Sequence, residues 1–349
     1  MMLNYHKTIN NVRKMIPFNN GMLYSDLENK VYFNESRILD NVDGASIFLI
    51  NTDIAQVYDL ENGCYYYRDG SIIKSDYFIK CYNDSSKIIA QSSARRISRG
   101  VYERDVVILS ENLIDIDNKL LSDIKFNILE CTDDFLIIGN KSQIHAYTLP
   151  SAQPLWQFDL GSLGSYKNII NEIKTYEVKH FLGMHDGVLL VQLSNATFLF
   201  LDGKTGVLKH KVCLNESYAL PNPVFYDDAF KAHLADGKLI LLNNQRLLEI
   251  NLTSYAVRII RNYYQEPREN QYRFMQSTYF DGNIYFVADF GWQYVTPSYI
   301  GVMEAKTGEI LWKLQLENTG GLSEAPQVTK DRLYIRTNNN VLHIFEKET

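Results

Sequence analysis

The chain has 349 residues, 46% of them hydrophobic, which is enough to bury a sizeable core as two ordinary domains or as one large ring. A formal net charge of -6 and a pI near 5.7 exclude the basic footprint of a nucleic-acid-binding domain, and no apolar run approaches the length of a membrane span. With 24 Tyr and 17 Phe against 8 Pro, the composition suits half-buried pleated surfaces and points to sheet.

The opening residues, MMLNYHKTIN, hold no apolar signal core and no small-residue cleavage site, so a cytoplasmic location is expected. Further along, one grammar recurs: a turn, an apolar strand, a break, a second strand, a tight turn and a third strand. SIFLINTDIAQVYDLENGCYYYR fits it first, and a weaker copy surrounds Ile88. Clearer copies start at Asp134 (DFLIIGNKSQIHAYTLPSAQPLWQFDL), Asp186 (DGVLLVQLSNATFLFLDGKTGVLKHKVCL), Asp236 (DGKLILLNNQRLLEINLTSYAVRIIRN) and Asp281, the last interrupted by an insertion. The final copy, APQVTKDRLYIRTNNNVLHIFEKET, holds three strands.

The first apolar strand of each copy begins near Ile47, Ile88, Leu136, Leu189, Leu239, Ile284 and Leu333, in steps of 41, 48, 53, 50, 45 and 49 residues. Periods of roughly 40–50 residues that carry four short strands are the signature of a β-propeller. A lone blade cannot cover both its faces, so blades stack around an axis. The expected fold is therefore all-β: a single propeller domain spanning residues 1–349, with about seven four-stranded blades. The last copy lacks an outer strand, and a segment within residues 8–18 is expected to supply it and close the ring.

The turns before the third strand are the most specific feature. Asp202-Gly203-Lys204-Thr205-Gly206 and Glu304-Ala305-Lys306-Thr307-Gly308 are near-duplicates, and Asp59-Leu60-Glu61-Asn62-Gly63 is a looser version. Four residues beyond the Gly position stands a large side chain in five copies: Tyr67, Trp156, His210, Ile259 and Trp312. Each is expected to wedge between neighbouring blades. This pattern resembles the tryptophan-docking motif of quinoprotein-type (pyrroloquinoline-quinone-like) propellers, A-x-D-x-x-T-G-x-x-x-W. Thr307, Gly308 and Trp312 fit it, with Val302 and Glu304 in place of the Ala and Asp. Asp202, Thr205 and Gly206 also fit, with His210 in place of the Trp. The resemblance implies a fold and not a function. No Gly-His plus Trp-Asp pair recurs as in WD40 repeats, and no Gly-Gly doublet recurs as in kelch repeats. A quinoprotein enzyme would bring vicinal cysteines, a calcium-binding set and greater length. This chain has no adjacent cysteines and no signal peptide, so no cofactor and no stoichiometric calcium or zinc is expected.

Cys64, Cys81, Cys131 and Cys213 form no C-x-x-C pair and have no His at metal-like spacing; they are expected as buried free thiols, with oxidation unnecessary for folding. His180 and His185 read as a strand end and a turn rather than metal ligands. Asp133-Asp134 and Asp227-Asp228 are adjacent in sequence, so on a strand they would point to opposite faces and form no acid/base dyad. Arg95, Arg96, Arg99 and Arg104 form the one basic cluster, read as a solvated loop. Nucleophile elbows, zincin motifs, phosphate loops and dinucleotide fingerprints are missing from the sequence.

Loop length breaks the symmetry of the ring. With strands A to D in each blade, the A–B and C–D turns share one face and are compact. The long connections near 92–103, 161–175, 215–224, 263–275 and 290–298 all fall on the other. Elaborated loops on a rigid scaffold are where binding residues concentrate. Two of them, YYQEPRENQYRFM and FGWQYVTPS, are rich in the Tyr, Trp and Arg of binding hot spots. The expected partner-binding residues are Tyr264, Arg268, Tyr272, Arg273, Trp292 and Tyr294. The rival face collects Asp59, Asp186, Asp202, Asp236, Asp281 and Glu304, which would attract a strongly basic partner.

The expected class is a non-enzymatic protein-binding module that touches neither nucleic acid nor membrane. In general character the chain is similar to the immunity proteins of contact-dependent growth-inhibition systems. That similarity implies a one-to-one complex with a cognate toxin, typically a nuclease whose active site is covered. The rival readings are a propeller enzyme with carboxylates converging on the axis (a glycosidase, a lyase or a quinoprotein-like enzyme) and an assembly scaffold resembling the outer-membrane insertion propellers.

Overall fold

Strand after strand in this chain is apolar on both faces, which requires cover on both sides. Phe135–Gly139 and Leu189–Leu193 are buried at every position, as expected of strands sandwiched between two neighbouring sheets. Pro154–Asp159 alternates between exposed and half-buried residues, as an outer strand with one wet face should. The computed structural model describes residues 3–19, 21–42, 46–50, 53–59, 63–82, 87–92, 95–98, 101–132, 134–168, 171–214, 231–290, 298–317 and 319–348.

Among the described residues the strands form eight blades, each an antiparallel sheet read outwards from its first strand. Blade 1 is Val12–Phe18, Gly21–Asp26, Val31–Phe33 and Ser36–Leu39; blade 2 is Ser46–Leu49, Ala55–Asp59, Gly63–Arg68 and Ser71–Ser75. Blade 3 holds Tyr77–Tyr82, Ile88–Ser92, Val101–Leu109 and Ile116–Ile124, with Arg95–Ser98 added as a hairpin on Val101–Leu109. Blade 4 comprises Asn127–Cys131, Phe135–Gly139, Gln143–Thr148 and Pro154–Asp159. Blade 5 follows with Val178–His185, Val188–Leu193, Thr197–Asp202 and Leu208–Cys213, and blade 6 with His233–Ala235, Lys238–Asn243, Arg246–Asn251 and Val257–Asn262. Blade 7 is Tyr272–Phe280, Asn283–Phe290, Tyr299–Glu304 and Ile310–Gln315. Blade 8 is Gln327–Val328, Arg332–Arg336 and Leu342–Lys347, completed by Leu3–Ile9.

The core is divided among the interfaces. Each pair of neighbouring blades encloses its own hydrophobic cluster, and the eighth joins Tyr334, Leu342 and Ile344 of blade 8 to Val12, Met15 and Tyr24 of blade 1. Alternate residues of one strand serve opposite neighbours. Leu189 and Val191 pack towards blade 4, and Leu190 between them packs towards blade 6. The ring closes where Leu3–Ile9 runs antiparallel to Leu342–Lys347, from Leu3 opposite Lys347 to Ile9 opposite Leu342.

Four sequence expectations need correction. The blades number eight, not about seven, because the extra blade is residues 12–39, whose strands Val31–Phe33 and Ser36–Leu39 are too short to show as apolar runs. The closing strand is Leu3–Ile9, and most of the expected segment 8–18 instead forms the innermost strand of blade 1. Asp59 and Gly63 flank the connection between the second and third strands of blade 2, so Asp59 does not share a face with the acidic turns. Tyr67 accordingly stands on a third strand, packed against Phe18 and Phe33 of blade 1. Finally, Cys81 and Cys131 are paired as a disulfide between the first strands of blades 3 and 4, leaving Cys64 and Cys213 as buried free thiols.

Candidate protein-binding site

The compact turns are built from local chemistry. Asp186-Gly187, Asp236-Gly237 and Asp281-Gly282 each place both residues at positive φ, the geometry of a two-residue hairpin turn. In blade 5, Asp202 Oδ1 accepts from Lys204 N (3.1 Å), Thr205 N (2.9 Å) and Thr205 Oγ1 (2.9 Å). Lys209 and Thr205 hold that carboxyl down at about 2. Asn251 does the same work in blade 6 without a charge, accepting from Thr253 N, Ser254 N and Ser254 Oγ. In blade 7, Glu304 accepts from Thr307 Oγ1 at 2.6 Å. The carboxylates of Asp202 and Glu304 are thus spent on shaping turns.

Those turns receive the wedge residues of the preceding blade. Trp156 Nε1 donates to Gly203 O at 2.9 Å, and a Cβ on Gly206 would meet the indole at 2.6 Å. His210 stacks on Tyr255, with centroids 4.5 Å apart and planes 12° from parallel. Trp312 packs edge-on against Phe345 of blade 8. Ile259 packs instead against the cluster between blades 5 and 6. The place against the next blade's turn is taken by Arg261, whose Nη1 donates to Gly308 O at 3.3 Å, beside the hydroxyl of Tyr263, which donates to the same carbonyl.

This docking anchors the connection from blade 6 to blade 7, where the expected binding residues cluster. Tyr263 is buried, fixed by Gly308 and packed edge-on against Phe274. It opens a short 3-10 turn, Tyr263–Gln265, and a second follows at Arg268–Asn270. Asn262 Oδ1 accepts from Tyr264 N, while the Gln271 amide donates to Tyr264 O (3.3 Å) and Glu266 O (2.8 Å). Arg261 Nε is 3.1 Å from Glu266 Oε1. Every bend of the loop is therefore tied down, and Tyr264 stands out from it at 57% exposure, with Arg268 exposed nearby. A groove of about 410 Å³ lies alongside, lined by Arg261, Asn270 and the outer strand of blade 7.

The other expected residues are placed differently. Tyr272 is 1% exposed and packs between Phe274 and Tyr299, so it supports the loop rather than presenting a contact surface. Arg273 grips Asp289 with two hydrogen bonds, Nε to Oδ1 at 2.9 Å and Nη2 to Oδ2. The Asp289 side chain is fully buried, and burial pushes its carboxyl up from the ordinary value while Arg273 opposes the shift. Trp292 and Tyr294 lie outside the described residues, as do Asp133, Arg99, Asp227 and Asp228. Sequence reasoning passed over Asn262, Gln271 and Arg261, the groups that brace the loop; their roles depend on three-dimensional placement and leave no motif.

In one other long connection Ser165–Lys167 pairs antiparallel with Ile173–Thr175, where Ile173 is 71% exposed. His185 sits 3.4 Å from Asp186 Oδ2, and among the described residues no group of His, Cys, Asp and Glu has metal-binding geometry.

No protein-family model matches the chain, and no curated protein matches it in sequence. Solved structures do match in shape. Sqt1 of Saccharomyces cerevisiae aligns over 100% of both chains with a TM-score of 0.62 and 10% identity. The C-terminal WD40 domain of Sif2 aligns over 100% of this chain and 99% of its own, again with a TM-score of 0.62 and 10% identity. The computationally designed Ika8 protein gives 0.59 at 8% identity, over 99% and 98%. The chain is a β-propeller, and at these identities the likeness is one of fold. The matching domain of Sif2 is a WD40 ring although WD40 signature pairs do not recur in this sequence, and no family model or sequence match supports the quinoprotein-type resemblance of its turns.

Proposed function

We propose that this propeller is a non-enzymatic protein-binding module that docks its partner on the face of long connections, with Tyr264 and Arg268 as anchors. The observation that carries the reading is an exposed tyrosine on a fully braced loop. An aromatic ring held in place before binding gives large contact area at little entropic cost, and a nearby guanidinium adds bidentate recognition of a carboxylate. Arg273 and Tyr272 belong to the support beneath them. On the opposite face the carboxylates of Asp202 and Glu304 are already engaged by hydrogen bonds within their own turns.

A narrower form of the proposal is an immunity protein that neutralises a toxin, one-to-one, by covering its active site. Its support is the general character of the chain: acidic, with eroded repeats and one elaborated face. The test is purification of the partner from the native cell, followed by titration against the purified propeller. Tyr264→Ala is expected to weaken the complex by about 2 kcal/mol or more, close to thirtyfold, with an unchanged melting curve. A partner that binds both Tyr264→Ala and Arg268→Ala as tightly as the unaltered protein would refute the choice of face. A partner with no toxin activity would refute the narrower form alone.

A further inference from the structure

A second cavity lies on the compact-turn face, away from the Tyr264 loop. It measures about 740 Å³, within the usual range for ligand sites, and opens where the first strands of blades 7, 8, 1 and 2 end. Phe280, Phe18 and Leu49 give it apolar walls. Leu49 is 51% exposed and its neighbour Phe48 49%, so apolar surface continues past the rim along blade 2.

Lys347 makes this more than an apolar hollow. Its ammonium lies 4.5 Å from the ring centre of Phe280 and 4.8 Å from that of Tyr285, and it donates one hydrogen bond, to Thr329 O at 2.6 Å. An ammonium carries three donors. Among the described residues, no carboxylate stands within the 4.0 Å of an ion pair. Asp281 and Asp331 act on it from farther away, and burial outweighs them in lowering its proton affinity. Elsewhere in the cavity Arg332 stands 3.0 Å from Glu346, and Lys330 and Asp331 add one charge of each sign to the lining. A half-buried cation with donors to spare, set against aromatic walls, is arranged for an anion that brings apolar surface with it.

We propose that this cavity is a second binding site, which takes a segment of a partner protein presenting an apolar side chain followed by a carboxylate. The apolar side chain packs between Phe280, Phe18 and Leu49, and the carboxylate pairs with Lys347. The exposed Phe48–Leu49 edge favours an extended segment over a compact small molecule, because it offers contact beyond the cavity itself. The site goes beyond the proposed function, lies on the opposite face and stands or falls separately.

The test uses fluorescein-labelled hexapeptides with a Phe-Asp core, compared with Phe-Asn and Ala-Asp versions, titrated against the full chain by fluorescence anisotropy. Saturable binding is expected, with the Phe-Asp peptide held at least tenfold more tightly than either control. Lys347→Met should abolish the preference for Asp over Asn, and Lys347→Arg should retain it. Tyr264→Ala, on the other face, should bind all three peptides as the unaltered protein does. The proposal is overturned by absence of saturable binding at millimolar peptide, by equal affinity for Phe-Asp and Phe-Asn, or by a Lys347→Met variant that still discriminates. Loss of binding in the Lys347→Arg variant as well, with its melting curve intact, would also count against it, since the charge alone should suffice.

Discussion

Trp156 of blade 4 donates its indole N–H to the main-chain carbonyl of Gly203 in blade 5, at 2.9 Å. The same ring lies against Gly206, whose φ of +69° and missing Cβ leave room for it. One aromatic side chain thus sets the spacing between two sheets that share no strand. Trp156→Phe keeps most of the packing and loses the hydrogen bond, so a cost of about 1 kcal/mol is expected. Trp156→Ala also loses half-buried contact and should cost about 2–3 kcal/mol. Gly206→Ala combines an unfavourable φ with a clash against the indole, and should cost more than the Phe variant. Urea unfolding checks the order; equal midpoints for all three variants and the parent would show that the docking does not stabilise the ring.

Arg273 and Asp289 make a different kind of joint, an ion pair between the first two strands of blade 7 with the carboxylate out of water. Breaking such a pair from one side leaves a buried charge without compensation, which typically costs about 3–5 kcal/mol, whereas removing both partners costs far less than the sum. Arg273→Ala is therefore expected to be strongly destabilising, and Arg273→Ala with Asp289→Ala milder than Arg273→Ala alone. Thermal melts of the two proteins decide the matter. If the double variant is the less stable one, Arg273 has been assigned the wrong role.

The pairing of Cys81 with Cys131 gives a direct chemical prediction. Unfolded in denaturant without reductant, the protein should show two reactive thiols, those of Cys64 and Cys213, and four after reduction. Before unfolding it should label slowly, because Cys64 is buried and its thiol is pushed up to about 12. A cross-link closing a loop of this size contributes about 2–4 kcal/mol, so reduction should lower the denaturant midpoint without dissolving the ring. Four thiols before reduction would mean the two blades are held by packing alone.

The limits of the sequence reading have physical causes. Second strands such as Leu189–Leu193 are legible because burial on both faces makes them continuous apolar runs, and they gave the period correctly. Blade 1 escaped because Val31–Phe33 and Ser36–Leu39 carry little apolar length, and because Ile47 marks a first strand where the other six landmarks mark second strands. The disulfide was hidden because Cys81 and Cys131 are fifty residues apart in sequence and meet only when neighbouring blades stack. At the candidate site, composition singled out a loop but not which of its residues are exposed. Tyr264 and Tyr272 are indistinguishable as letters; one faces water because it follows a buried 3-10 anchor, and the other opens an innermost strand.

His233 supplies the pH dependence. It stands on the first strand of blade 6 with Nε2 3.2 Å from Ser277 Oγ on the first strand of blade 7. Burial, helped by the charge of Lys231 and opposed by Ser277, lowers it from an ordinary 6.5 to about 4. The folded state therefore binds this proton less readily than the unfolded chain does. Its contribution to stability is fully present above about pH 6.5 and is lost as the pH falls from there through about 4, a total of about 3 kcal/mol. His233→Gln retains a group that hydrogen-bonds Ser277 and cannot titrate. The variant should be slightly less stable than the parent at pH 7.5, and the difference should shrink and then reverse as the pH is lowered towards 4.5. Urea unfolding at several pH values across that interval measures it. Parallel stability curves for the two proteins would mean that His233 titrates normally and that the strand contact it makes is open to water.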